Sequence, residues 1–134
     1  MQRLKTLDRM KSIREEIERC SDALLRTRSL AEKVTQSFSP SPGGGKKKDR
    51  SDLYVRLVEL EQRILDRQVR LEEVREGVER YLTELSSLEA RLVRMRFCDG
   101  LSARAVQMRL HISQSTYYRA LKAAVAELSE LGME

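Results

Sequence analysis

The chain has 134 residues, with 26 Lys or Arg against 21 Asp or Glu and a formal net charge of +5. Charged residues make up 35% and aromatic residues 4%, a composition that favours long solvated helices over a sandwich or barrel and excludes a large multi-domain enzyme. The charged start excludes a secretory signal, and no apolar run is long enough for a membrane helix, so we expect a cytoplasmic protein without membrane partners.

The cysteine and histidine content argues against a metal site. Cys20 and Cys98 are far apart with no CxxC spacing, and His111 is the only histidine. A zinc site needs about four such ligands, so we expect neither a metal nor any other cofactor. Both cysteines are predicted to be reduced core thiols.

The first 38 residues predict a long amphipathic helix, because apolar side chains recur at spacings of three and four from Leu7 to Phe38. Residues 37–51 interrupt it with both prolines and three of the six glycines. We interpret this segment as a flexible linker without helix. Its GGGKKK run lacks the spacing of a phosphate-binding loop, and no apolar strand precedes it.

A second apolar stripe, stronger than the first, extends from Leu53 to Met95, and Arg67 is its only charged member. The two stripes predict an antiparallel helical hairpin or coiled coil over residues 1–85. Pairing of each stripe with another copy of the chain, in a dimer or four-helix assembly, is an equally open alternative. The pattern also leaves open whether residues 52–97 form one continuous helix.

Residues 86–134 predict a separate domain of three short helices. Ser86 and Glu89 form a capping-box pattern, and Asp99-Gly100 is a stop signal. The side chains expected to face inward from this first helix are Leu88, Leu92, Val93 and Met95.

Two further helices follow at the spacing of a helix-turn-helix. Ser102 is predicted to cap the first, ARAVQMRL, and Ser113 the second, with a tight turn at His111-Ile112. His111 occupies a turn position that favours the left-handed conformation, and we assign it a structural role. The inward stripe of the last helix is predicted to be Tyr117, Leu121, Ala124, Leu128 and Leu131.

This region is strongly basic: residues 91–122 contain seven Arg or Lys and one acidic residue, Asp99, which gives a local net charge of +6. A basic helix-turn-helix predicts binding to double-stranded DNA. The residues expected to read base edges are Gln114, Ser115, Tyr118, Arg119 and Lys122. Those expected to contact phosphates are Ser102, Arg104, Arg109, Ser113 and Thr116.

Each of these assignments has a plainer alternative. The polar face of the last helix is also what any exposed helix shows. We expect Tyr117 to be buried in the core and Tyr118 to be partly exposed, instead of both rings stacking on bases. Three arginines of the preceding helix lie away from the predicted recognition face. Contact with RNA polymerase and contact with flanking phosphates are equally open for Arg91, Arg94 and Arg96.

The stretch RLVRMRFCDGLSARAVQMRLHISQSTYYRALKAAVAEL resembles region 4 of bacterial sigma factors. With the preceding hairpin and the Pro/Gly/Ser break, nearly the whole chain resembles small phage and prophage regulators of Gram-positive bacteria, and the late regulators of the ArpU and RinA type are the nearest functional analogy. The resemblance implies sequence-specific DNA binding and control of phage or mobile-element transcription. Two departures are Gln107, where a small Ala is common, and His111, where Gly is usual.

We therefore expect an all-α regulator of transcription with no enzymatic activity, because the carboxylates lie along solvated helix faces and no converging acid, base or nucleophile is evident. Its expected partners are double-stranded DNA, RNA polymerase and further copies of the chain. The alternative from another class is an oligomeric structural or packaging protein, similar to a small terminase subunit, whose basic end holds DNA without sequence preference.

Overall fold

The computed structural model describes residues 2–36 and 45–134. These residues form five α-helices and no strand, which confirms the predicted all-α class: α1 Lys5–Gln36, α2 Gly45–Leu82, α3 Ser87–Val93, α4 Ala103–Leu110 and α5 Gln114–Glu130. A π-helical turn, Arg94–Cys98, continues α3. Among the described helices, none combines the length and the apolar character that a membrane crossing requires.

Helix α2 begins at Gly45, inside the predicted linker 37–51, so the prediction of a non-helical segment is wrong for residues 45–51. No proline follows Pro42, and the charged residues after Gly45 are compatible with helix. Extending an existing helix adds one hydrogen bond for each residue fixed, so α2 continues back to the last of the three glycines. Residues 37–44, including Phe38 of the predicted stripe, lie outside the described residues.

Residues 52–97 do not form one continuous helix. Helix α2 ends at Leu82, a turn follows, and α3 starts anew after Ser86. The turn resets the helical phase, so the seven-residue pattern of α2 does not carry into α3. Leu88, predicted to face inward, lies in the first turn of α3 and is exposed, whereas Leu92 and Val93, one turn later, are fully buried.

The chain divides into two compact units. Glu15–Val69 forms one, which we call the two-helix unit, and the start of α1 up to Arg14 joins Arg70–Glu134 in the other, which we call the C-terminal unit. The domain boundary predicted at residue 85 does not coincide with this division.

In the two-helix unit, parts of α1 and α2 run antiparallel. Two ion pairs show this: Arg28 with Glu61 at 3.2 Å and Arg67 with Glu16 at 3.1 Å, so residues further along α1 meet residues earlier in α2. The apolar seam predicted from the sequence therefore pairs within the chain. Arg67, the one charged seam position, is exposed and reaches an acidic partner on α1.

The C-terminal unit has a larger core, to which both ends of the chain contribute. Its buried side chains include Leu7 and Met10 of α1, Val78 of α2 and Tyr117 of α5. Hydrogen bonds tie the start of α1 to the end of the chain, from Gln2 Nε2 to Ser129 Oγ (2.7 Å) and from the backbone N–H of Thr6 to the backbone oxygen of Glu134 (2.8 Å).

The end of α5 corrects one predicted core residue. Gly132, at φ 100°, donates its N–H to Ser129, and Met133 donates to Leu128 at 3.0 Å, the paired bonds of a Schellman C-cap. This turn buries Met133 against the unit and leaves Leu131 exposed, although the sequence stripe predicted Leu131 to be buried.

Candidate nucleic-acid interface

Helices α4 and α5 are joined by three residues and capped as the sequence predicts. The Ser102 hydroxyl accepts from the backbone N–H of Ala105 at 3.1 Å, and the Ser113 hydroxyl accepts from that of Thr116 at 3.2 Å. Ser86 likewise caps α3. Each cap satisfies an N–H that lacks an acceptor within its helix, so both helix starts are fixed by local chemistry.

His111 makes the tight turn between α4 and α5. It lies in the left-handed region at φ 55° and ψ 46°, and its backbone N–H donates to the Gln107 carbonyl. Among the described residues it is the only non-glycine with positive φ. Histidine tolerates this region better than most side chains, which confirms the predicted role of His111 in the turn.

The start of α5 presents a continuous polar surface to solvent. All five side chains predicted to read bases are exposed: Gln114, Ser115, Tyr118, Arg119 and Lys122. The inward side of the same helix is buried at Tyr117, Leu121, Ala124 and Leu128, as predicted, and also at Val125. The structure therefore brings the predicted base-reading residues onto one accessible helix face.

The two tyrosines divide between these faces, as expected. Tyr117 is 1% exposed and Tyr118 48% exposed, and their rings meet edge to face with centroids 4.9 Å apart. Burial raises the pKa of the Tyr117 hydroxyl, and nearby Arg96 partly offsets that effect. Tyr117 therefore anchors α5 in the core and supports the exposed ring of Tyr118.

The residues predicted to contact phosphates surround the turn but differ in availability. Arg104 and Arg109 are exposed on α4, Ser102 is exposed at its N-cap, and Thr116 is half-buried. The Ser113 hydroxyl already donates to Thr116 Oγ1 at 2.9 Å. At the start of α5, the backbone N–H groups of Gln114 and Ser115 are left as donors for an anion, because the N–H of Thr116 is bonded to Ser113; the partial positive charge of the helix end adds to them.

Positive charge on this surface is not offset by nearby acidic residues in the sequence. Between Gly100 and Ala126 there are four basic residues, Arg104, Arg109, Arg119 and Lys122, and no Asp or Glu. In the described part of the chain none of the four forms an ion pair. The surface is therefore suited to a polyanion.

The three arginines of the preceding helix do not form one exposed group. Arg94 makes two 2.9 Å hydrogen bonds to the carboxylate of Glu79, and this contact lowers the pKa of Glu79 and raises that of Arg94. Arg96 is half-buried and donates to the Leu101 carbonyl at 3.2 Å. Of these three arginines only Arg91 is exposed, so they do not share the role in polymerase or phosphate contact that the sequence analysis considered for all three.

Arg14 of α1 binds the end of the π-helical turn that precedes α4, a contact that was not predicted from the sequence. Its guanidinium donates to the carbonyl oxygens of Phe97 and Cys98, the latter at 3.0 Å, at the end of the π-helical turn. A cation is favourable at the negative end of a helix. Since Arg14 lies on α1, no local pattern reveals the contact.

The two cysteines, Cys98 of the C-terminal unit and Cys20 of the two-helix unit, are buried free thiols. Burial raises the pKa of the Cys98 thiol to about 11, so the thiol is protonated at neutral pH. Cys20 is also free and buried, as expected for a core thiol. Within residues 2–36 and 45–134 no group of three or more His, Cys, Asp or Glu side chains is arranged to hold a metal ion.

A protein-family model described as "Protein of unknown function (DUF1492)" matches residues 35–129. The match includes all of α2, the two following capped helices and nearly all of α5. No curated protein and no solved structure matches the chain. Because the family model covers more than half of the 134 residues, the chain belongs to the DUF1492 family.

Proposed function

We propose that the chain is a sequence-specific regulator of transcription that binds duplex DNA through α4 and α5. The observation that carries the proposal is the polar, acid-free surface at the start of α5, next to a three-residue turn. A helix in the major groove needs exposed donors and acceptors near its N-terminus, and these residues supply them. The resemblance to sigma region 4 supports the same function in a phage or mobile-element regulator.

Two kinds of contact are proposed. Gln114 and Arg119 read bases, since Gln pairs with adenine and Arg with guanine through two hydrogen bonds each. Arg104 and Arg109 hold phosphates and fix the position of α5 without sequence preference.

RNA polymerase is a second proposed partner, through Arg91. Of the three arginines considered for this role, Arg91 has the exposed guanidinium, whereas Arg94 is held by Glu79. Contact of Arg91 with a flanking phosphate is the alternative. Arg91→Ala would lower the slope of log affinity against log salt by about 0.9 if it contacts phosphate, and would reduce only transcription if it contacts polymerase.

The test starts with selection of bound sequences from a random duplex library, followed by titration of the selected site and of a scrambled site. Arg119→Ala and Gln114→Ala should each cost about 1 to 3 kcal/mol on the selected site and reduce the preference for it. Arg104→Ala should weaken both sites alike. Arg26→Ala and Gln68→Ala, at exposed positions of α1 and α2, are the matched controls and should change neither affinity.

Two results would count against the proposal. Unchanged preference for the selected site in both α5 variants would refute the groove assignment. Failure to enrich any site, with tight binding to all duplexes, would favour the packaging protein instead of the regulator.

A further inference from the structure

The two-helix unit carries a second apolar stripe on α2 that its seam with α1 does not use. Tyr54, Val58, Leu65 and Val69, which we call the outer stripe, are 53% to 64% exposed. At about 100° per residue, the four side chains lie within a sector of roughly 60°, well away from the buried seam. No charged residue between Ser51 and Val69 falls within this sector.

One residue of α1 extends this surface. Around the axis of α2, Glu61 lies between the seam with α1 and the outer stripe. Its ion pair with Arg28 therefore marks the side of the two helices that carries the outer stripe. Leu25, one turn before Arg28, lies on the same side of α1 and is 64% exposed. The antiparallel register sets Leu25 level with the middle of the stripe.

The spacing of the outer stripe is self-complementary. Successive members are separated by four, seven and four positions, which read the same in both chain directions. If a second α2 packed antiparallel on the first, Tyr54 of one copy would face Val69 of the other, and Val58 would face Leu65. Each pair would occur twice because of the twofold symmetry. Such self-complementarity is what a twofold interface between identical chains requires.

We propose that the outer stripe and Leu25 form an interface with a second copy of this chain, with the two α2 helices antiparallel about a twofold axis beside Glu61 and Gln62. Each of the five side chains exposes roughly 100 Å², so two copies would cover about 1,000 Å², the lower size of a specific interface. Among the described side chains of the two-helix unit, only Cys20, Thr27, Ala31 and Leu60 are buried, so a second copy would complete a four-helix core.

The test is sedimentation of the full-length protein without DNA, so its outcome does not depend on the proposed function. The wild type should sediment at twice the monomer mass. Val58→Lys and Leu65→Lys should each weaken association by about a hundredfold or more, because an unpaired ammonium would be buried against apolar side chains. Leu30→Lys is the matched control, since Leu30 is equally exposed, at 52%, but on the other side of α1.

A charge swap tests the antiparallel register. In a chain carrying both Val58→Lys and Leu65→Glu, each lysine would meet a glutamate of the other copy, and association should return towards the wild-type value. A parallel pair would instead set like charges together. A monomeric wild type at about 100 μM, an equal loss in Leu30→Lys, or a fully helical double variant that stays monomeric would each overturn the proposal. Leu65→Gln, a milder change at an exposed position, should also weaken association while circular dichroism remains unchanged.

Discussion

Replacing Gly100 by alanine should destabilise the C-terminal unit, because two independent features exclude a side chain there. Gly100 has φ 75°, in the left-handed region. A Cβ atom at this position would also lie 2.8 Å from the Cδ and Nε atoms of Arg14. The left-handed conformation costs about 1 to 2 kcal/mol for an L-residue, and displacing Arg14 would weaken its bonds to Phe97 and Cys98 by about a further 1 kcal/mol.

We therefore expect Gly100→Ala to lower the free energy of unfolding by about 2 to 3 kcal/mol. The assay is urea unfolding at neutral pH, followed by circular dichroism. Gly77→Ala is the control of opposite sign: Gly77 lies within α2 with no atom near the added Cβ, and alanine there should stabilise the protein by about 0.5 to 1 kcal/mol.

The contribution of Arg14 can be separated from that of the backbone with a double-mutant cycle. In an Arg14→Ala background, Gly100→Ala should cost only the backbone penalty of about 1 to 2 kcal/mol. An equal cost in both backgrounds would refute the Arg14 contact. A Gly100→Ala variant as stable as the wild type would refute the left-handed turn itself.

Three further experiments test other contacts of the C-terminal unit. Arg94 lowers the pKa of Glu79, so the pair stabilises the fold fully above the ordinary pKa of a glutamate and loses this effect as the pH falls through the lowered pKa. Arg94→Met should therefore lower the free energy of unfolding by about 1 kcal/mol at neutral pH. Urea unfolding at a series of pH values should show this difference becoming smaller in acid. Cys98, with its pKa raised to about 11, should react with a thiol reagent at mildly alkaline pH only as fast as the protein opens, and rapid labelling in native buffer would contradict its burial. Ser113→Ala should cost about 1 kcal/mol through loss of the α5 cap, whereas Ser115→Ala, which leaves the backbone cap in place, should cost much less in the same urea assay.

The sequence predicts those features of the C-terminal unit that depend on neighbouring residues. Ser102 and Ser113 are caps because each accepts from an N–H three positions later, and His111 closes the turn because few non-glycine residues adopt its conformation at low cost. The division between Tyr117 and Tyr118 follows from helical periodicity alone. The local chemistry is sufficient in each case.

Features that depend on contacts between distant segments are not predictable in this way. Arg14 lies 84 positions before Cys98, and nothing in its surroundings distinguishes it from the other arginines of α1. Leu131 is exposed because α5 ends there and its C-cap turn breaks an otherwise regular stripe, and Leu88 is exposed in the first turn of α3. The Leu-Gly-Met ending could have revealed the C-cap of α5, because glycine after a helix followed by an apolar residue is the Schellman pattern.

The structure also limits how many of the basic residues in segment 91–122 can contact DNA phosphates. Counting all seven basic residues of the segment 91–122 would predict a dependence of log affinity on log salt with a slope of about −6. Arg94 is neutralised by Glu79, and the guanidinium of Arg96 points to the Leu101 carbonyl of its own unit, which leaves five exposed cations. If all five contacted phosphates, the slope would reach only about −4.5. A steeper slope would require either cations from elsewhere in the chain or a second bound copy. The uncharged variant Leu65→Gln, which should weaken association, would separate these two sources, because it should return the slope to the single-copy value only if a second copy is bound.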